Sequence, residues 1–244
     1  MTEQIVDLDP SRNHLPETLR SIHLMGICGT AMAALAGMLN EVGYQVTGSD
    51  QQVYPPMSNL LERMGIKLYS GYHPANLDHR PDLVVVGNVI PRKNPEAQAL
   101  ARLRIPYLSM PQALASLFIN SRASIVLAGT HGKTTTSSML ASALHYAGQD
   151  PSFMIGGVVQ DFDSNYRIGN GPDFIVEGDE YDTAFFDKES KFLHYQPRIA
   201  VITSIEFDHA DIFADLDAIK HSFRKFVALL PPDGLLIVNG DDPV

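Results

Sequence analysis

The sequence predicts an α/β protein built from two successive, mostly parallel sheets. Three observations carry this. Apolar runs of strand length alternate with amphipathic stretches along all 244 residues, the order of elements that builds parallel sheets. The pattern restarts near residue 120, dividing the chain into parts 1–119 and 120–244. Each part opens with a strand that runs through a glycine turn into a helix, an arrangement that presents backbone N–H groups to an anion.

In the first part, Ile22 to Gly26 reads as a buried strand, followed by a helix over Thr30 to Val42. A second strand covers Tyr44 to Thr47 and leads into Gly48-Ser49-Asp50, and a third covers Asp82 to Val86 before Gly87. Pro95 to Arg102 and Pro111 to Ile119 are helices with proline in the first turn, where its missing N–H costs nothing. In the second part, Ala123 to Ala128 is a strand, followed by a glycine loop and a helix reaching Ala147. Phe174 to Glu177 and Ile199 to Thr203 are further central strands. Leu216, Ile219, Phe223, Phe226, Val227 and Leu230 recur at helical spacing ahead of Pro231-Pro232, which marks a core-facing helix. Leu235 to Val238 is a last strand, and the chain ends at Val244.

Hydrophobic residues make up 45% of the chain and charged residues 19%, the composition of a globular protein. The net charge of −10 excludes the basic face of a nucleic-acid binder. No apolar run has the length of a membrane span, and the polar start is no secretory signal. The single cysteine, Cys28, forms no internal disulfide. The expected location is the cytoplasm, with no membrane or nucleic-acid partner.

Gly129-Thr130-His131-Gly132-Lys133-Thr134-Thr135 stands between a strand and a helix, the context in which a glycine-lysine-threonine loop cradles phosphates. Lys133 would neutralise the outer phosphates and the Thr134 hydroxyl would ligate magnesium. The common form of the loop needs glycine at 127, where this chain has Leu127, so the loop is two residues shorter on its N-terminal side. The residues also fit an ordinary glycine turn capped by Thr134. Gly26-Ile27-Cys28-Gly29-Thr30-Ala31 occupies the place of a dinucleotide-type turn, with Asp50 after the next strand where a ribose-binding acid is expected. Cys28 stands where the second glycine of that pattern belongs, and a tight turn with Asp50 as a solvated cap reads equally well. Cys28 itself is either a reactive thiol at a helix start or a small buried filler. Glu177, Asp179, Glu180 and Asp182 crowd the end of a predicted strand and repel one another unless cations share them; a solvated acidic turn has the same appearance. Glu206-Phe207-Asp208-His209-Ala210-Asp211 follows the next strand and brings a histidine to the same edge.

Taken together, these motifs resemble the Mur ligase family over residues 20–244. The loop at 129–135 is similar to the family's ATP loop, Glu177 to Asp182 to its magnesium-binding acid motif, and Asp208 to Asp211 to its histidine motif. His131 and the Gly26–Ala31 turn resemble the muramic-acid branch, as do Gly156-Gly157-Val158, Glu180 to Phe192 with His194-Tyr195, and Phe207 to Phe213. The resemblance implies a Rossmann-like UDP-sugar domain over 1–119 and the first part of a P-loop ATP domain over 120–244. It assigns ATP to residues 129–135, magnesium to Thr134, Glu180 and His209, and catalytic roles to Lys133, Glu180 and His209. Gly26, Gly29, Thr30, Met32, Asp50, His73 and Asn88 are the implied UDP-sugar contacts. Ser204 stands where the family often has Asn and receives no role. Arg224 aligns by spacing with a lysine that several relatives carbamylate, so no carbamate is expected. The implied reaction activates the lactoyl carboxylate of UDP-N-acetylmuramate with ATP and joins it to the murein tripeptide L-alanyl-γ-D-glutamyl-meso-diaminopimelate. The alternatives are L-alanine as acceptor, or a non-catalytic UDP-sugar or nucleotide-binding module. The family's third, acceptor-binding domain does not follow here, so the chain is expected to be an N-terminal piece that is inactive alone.

Overall fold

A computed structural model of the chain describes residues 5–55, 57–206 and 215–241. They form two compact units, 1–113 with 183–188, and 114–182 with 189–244.

The first unit contains β1 (Ser21–Met25), α1 (Thr30–Glu41), β2 (Gln45–Asp50), α2 (Met57–Arg63), β3 (Lys67–Ser70), β4 (Leu83–Val86), α3 (Pro95–Leu103), β5 (Tyr107–Ser109) and the start of α4 (Met110–Leu114). The strands pair in parallel in the order β3-β2-β1-β4-β5. Consecutive strands therefore depart from β1 in opposite directions, and the crevice beyond the strand ends at β1 and β4 is where open α/β sheets bind ligands. β4 reads Leu-Val-Val-Val and is wholly buried, as a central parallel strand covered on both faces must be. Asn94 caps α3 by accepting from the Glu96 and Ala97 amides, with Pro95 at the first helical position.

The second unit begins where α4 passes into a wider turn, Ala115–Ile119, so the helix expected over 111–119 is not regular throughout. It continues with β6 (Ala123–Ala128), α5 (Lys133–Tyr146), β7 (Ser152–Val159), β8 (Ser164–Arg167) and β9 (Asp173–Gly178). A small hairpin of β10 (Asp182–Ala184) and β11 (Asp187–Ser190) comes next, then β12 (Ile199–Ile202), α6 (Leu216–Val227) and β13 (Leu235–Val238). The sheet order is β13-β12-β6-β9-β7-β8, parallel except for β8 against β7. On α6, Ile219, Phe223 and Phe226 are buried, while Leu230 lies beyond the helix end. The hairpin tip belongs to the first unit, where Phe186 meets the Tyr107 ring edge-on at 4.8 Å. Among the described residues no helix is long and apolar enough to cross a membrane.

Candidate functional site

Each unit places a glycine turn between a strand and the start of a helix. In the first unit a cavity of about 500 Å³ lies at the crevice, and Gly26, Gly29, Thr30, Met32, Asp50 and Asn88 line it. His73 is exposed at the start of the 3-10 turn Pro74–Leu77 and is not among the lining residues. The turn's own amides are already engaged. Ser49's carbonyl accepts from Gly26 and Ile27 at 2.8 and 3.1 Å, and Gly29 donates to Gly26 at 3.2 Å. Asp50 accepts the Cys28 amide at 2.9 Å, so its carboxylate shapes the turn as well as lining the cavity. The amides left open are those of the first turn of α1, which lack carbonyl partners four residues back, and the helix dipole gives them a positive potential. Burial and the charge of Asp50 push the Cys28 thiol up to about 11. That favours the filler reading over a reactive thiol, because the thiolate is the reactive form.

In the second unit the loop after β6 is held from the side by the end of β12. Thr130 donates its amide to the Ser204 carbonyl at 2.9 Å, and His131 donates its amide to Ser204 Oγ at 3.2 Å. Thr203 Oγ1 donates to the His131 carbonyl at 2.5 Å. Gly129 has φ +135°, and a Cβ there would overlap Thr203 Oγ1 and the Ser204 backbone; only glycine fits. Gly132 starts α5 at φ +81°, leaving the amides of Lys133, Thr134 and Thr135 at an open helix start. The N-cap residue is Gly132, which has no side chain to cap the helix, and Thr134 lies inside its first turn.

Lys133 is 14% exposed and lies 3.7 Å from Glu180 Oε2 and 4.0 Å from Asp179 Oδ1. Its Nζ donates to the Gly129 carbonyl at 2.6 Å. Asp179 also pairs with Lys191 at 3.1 Å. Glu180 is 5% exposed, and its Oε2 is buried without a hydrogen-bond partner, which a native carboxylate oxygen rarely is. Such an oxygen beside a phosphate loop suits a hard cation, which binds through one or two carboxylates plus phosphate oxygens. Glu180 and the exposed Thr134 hydroxyl are the described residues that fit magnesium. His209 and the rest of its motif from Phe207 onward lie outside the described residues; among the described residues no three His, Cys, Asp or Glu side chains converge. Glu177 instead accepts the Gly156 amide at 2.9 Å. A Cβ at Gly157 would come within 3.0 Å of the Thr134 methyl, so the glycine pair of β7 gives room to the loop and the acids.

Thr203, Ser204, Lys191 and Ser49 received no role from the sequence. A Thr-Ser pair directly after an apolar strand was the available signal for the first two. Lys191 and Ser49 need the fold, because their partners are distant in sequence or reached through the backbone.

Known proteins resemble this chain in sequence and fold. The description "Mur ligase family, catalytic domain" matches residues 21–122 and "Mur ligase middle domain" matches 127–244. UDP-N-acetylmuramate–L-alanyl-γ-D-glutamyl-meso-2,6-diaminoheptandioate ligase of Escherichia coli (strain K12) is 48% identical over 221 residues, 91% of this chain and 48% of the relative. The UDP-N-acetylmuramate–L-alanine ligase of Syntrophomonas wolfei is 39% identical over 221 residues, 91% of this chain and 46% of the relative. A crystal structure of UDP-N-acetylmuramate:L-alanyl-γ-D-glutamyl-meso-diaminopimelate ligase from Neisseria meningitides superposes with a TM-score of 0.88 at 46% identity, covering 93% of this chain and 73% of that one. The chain spans about half the length of the curated relatives it matches.

Proposed function

Because the chain belongs to the Mur ligase family, we propose that it carries the donor and nucleotide sites of an ATP-dependent ligase acting on UDP-N-acetylmuramate and L-alanyl-γ-D-glutamyl-meso-diaminopimelate. In this reading residues 1–119 serve the UDP-sugar and 120–244 serve ATP. The carrying observation is the buried Glu180 oxygen that lies 3.7 Å from the loop lysine yet accepts no hydrogen bond. A structural ion pair would fill that oxygen's acceptor sites; a site that takes a cation and phosphates leaves them open.

A free carboxylate is a poor acyl donor, because an amine would have to expel oxide. Transfer of the γ-phosphoryl group from ATP to the lactoyl carboxylate gives an acyl phosphate and ADP. The acceptor amine attacks the acyl carbon, loses a proton, and expels phosphate from the tetrahedral intermediate to leave the amide. Lys133 serves the first step by leaving the Gly129 carbonyl for the phosphate oxygens, and the amides of 133–135 hold the same group. Thr134 and Glu180, with His209, are the proposed magnesium holders, and the ion supplies charge neutralisation on the transferring group. Ser204 and Thr203 keep the loop shaped before ATP arrives, so the chain does not have to order it on binding. At the donor site, the Thr30 to Met32 amides face the diphosphate, and Asp50 and Asn88 contact the sugar-nucleotide. His73, outside the cavity lining, serves the part of the sugar-nucleotide that extends beyond the cavity wall.

The tripeptide ligases share more of this chain's residues than the L-alanine ligase does, which supports the tripeptide as acceptor. Calorimetry tests the two sites separately. Lys133→Met should abolish MgATP binding and leave UDP-N-acetylmuramate binding intact. MgATP binding unaffected by Lys133→Met, or NAD bound as well as the UDP-sugar, would overturn the assignment.

A further inference from the structure

Beside its cavity the first unit carries a cluster of polar groups that the proposed ligation does not use. His23 in β1 and Glu96 in the first turn of α3 are both wholly buried. Their side chains meet at 2.8 Å, Nε2 to Oε1. The same carboxylate oxygen accepts from Ser49 Oγ at 2.7 Å, and the other accepts from Asn76 Nδ2 at 2.7 Å. On the far side of the imidazole, Nδ1 lies 2.8 Å from Thr47 Oγ1, which is 3.3 Å from His79 Nε2. An ionised carboxylate only accepts, so His23 Nε2 carries a proton. Both Glu96 oxygens are thereby filled. On the other side of the ring Nδ1 shares a hydrogen bond with the Thr47 hydroxyl, which in turn meets His79 Nε2.

A buried carboxylate is tolerated when its acceptor sites are satisfied, which accounts for the cluster's survival. Where Ser49 leads accounts for its use. The Ser49 carbonyl accepts the amides of Gly26 and Ile27, and the adjoining Asp50 carboxylate accepts that of Cys28. Residues 26–28 thus hang from Ser49 and Asp50 by three hydrogen bonds, and the Ser49 side chain hangs from Glu96. We propose that Glu96, acting through Ser49, is the positioning residue that fixes the glycine turn and thereby sets the cavity's affinity for a sugar-nucleotide diphosphate. His23 and Asn76 aim the carboxylate, since they occupy the lone pairs that would otherwise let it turn away from Ser49. The affinity half of this proposal rests on the donor-site reading above; the turn-fixing half does not.

The test uses the 244-residue chain and its Ser49→Ala, Ser49→Thr and Glu96→Gln variants. Amide hydrogen exchange by NMR in the ligand-free state is followed by calorimetry with UDP-N-acetylmuramate and, as internal control, MgATP. Ser49→Ala should speed exchange at Gly26 and Ile27 and weaken UDP-N-acetylmuramate by about tenfold, the scale of one charge-assisted hydrogen bond. Exchange at Leu24 and MgATP affinity should stay as they were. Ser49→Thr keeps the hydroxyl and should restore both readings, whereas a merely structural role predicts no rescue specific to the turn. Glu96→Gln keeps an oxygen towards Ser49 but loses the charge and the Asn76 bond, so it should shift both readings in the same direction as Ser49→Ala and by less. Unchanged exchange at Gly26 and Ile27 in Ser49→Ala would overturn the proposal, as would equal acceleration throughout β1. If the unmodified chain does not bind UDP-N-acetylmuramate, the donor reading fails, and the exchange data still decide the role of Glu96.

Discussion

Replacing Glu180 with glutamine should separate stability from function with opposite signs. At 3.7 Å from Lys133, an effective dielectric of about 20 gives a gross attraction of about 4 kcal/mol. Asp179, at 4.0 Å from the same nitrogen, supplies nearly as much and remains in the variant. Against the lost attraction stands the desolvation of a carboxylate that is 5% exposed, a penalty of several kcal/mol for a buried ion. The two nearly cancel, so Glu180→Gln should alter unfolding free energy by no more than about 1 kcal/mol, with the thermal midpoint unchanged or slightly raised. The binding consequence is one-sided, because a neutral amide cannot replace an anionic ligand to magnesium. Calorimetry with ATP should show at least a roughly tenfold loss of affinity in the presence of magnesium, equivalent to about 1.4 kcal/mol, and little change in its absence. A midpoint lowered by more than about 10 °C would mean that Glu180 is a structural ion-pair partner. An intact magnesium dependence would refute the metal assignment outright.

Gly157→Val should place a branched side chain against the Thr134 methyl, where even a Cβ comes within 3.0 Å; ATP affinity should fall while UDP-N-acetylmuramate affinity holds, by calorimetry on the two ligands. Cys28, with its thiol pushed up to about 11, should react with a thiol reagent at pH 8 about a hundredfold more slowly than a free cysteine of ordinary pKa, and an ordinary rate in a stopped-flow assay would contradict the burial argument. Asp150 accepts from the Asn170 amide and side chain and pairs with Arg167, contacts that hold its carboxyl down to about 2. Because the folded value lies below the unfolded one, its stabilisation is present above about pH 4 and is lost as pH falls towards 2. The difference in melting temperature between the chain and Asp150→Asn should therefore be full at pH 6 and shrink over that window; a pH-independent difference would count against it.

Strands that are continuous apolar runs were legible in the sequence, because a strand buried on both faces writes its burial into every residue. Ala123–Ala128 and Leu235–Val238 fall at the expected residues, although all four residues of Leu235–Val238 are exposed. The strands that went unread lack that signature. β8 is Ser-Asn-Tyr-Arg on an antiparallel edge, and β7 is interrupted by Gly156-Gly157. β10 and β11 are too short for alternation to show. Around the loop after β6, the meeting of Lys133, Asp179 and Glu180 was legible because the loop and the acids each follow a strand, and parallel neighbours β6 and β9 deliver both to one edge. The bracing by Ser204 was not, since it runs through a backbone carbonyl and a hydroxyl that many serines possess. Glu96 was hidden for another reason: a charged residue in the first turn of a helix ordinarily serves the helix dipole at the surface, and only its complete burial reveals three partners from three other elements.

The two turns share a construction that shapes short, irregular glycine loops without further glycines and, on the proposed reading, prepares them for phosphate groups. In the first unit, Ser49 at the end of the strand beside β1 takes the amides of Gly26 and Ile27 on its carbonyl, and the next residue takes that of Cys28. In the second, Ser204 just beyond the strand beside β6 takes the Thr130 amide on its carbonyl and the His131 amide on its hydroxyl. Each neighbouring strand thereby consumes the early amides of the turn and leaves the helix's first-turn amides as the open ones. On the proposed reading a phosphate would be drawn to those amides, because the competing donors nearby are already satisfied. This also accounts for a loop two residues shorter than the common form, and for Cys28 in place of a second glycine. The curvature that extra glycines would provide comes here from hydrogen bonds to the next strand, three through backbone carbonyls and two through the Asp50 and Ser204 side chains.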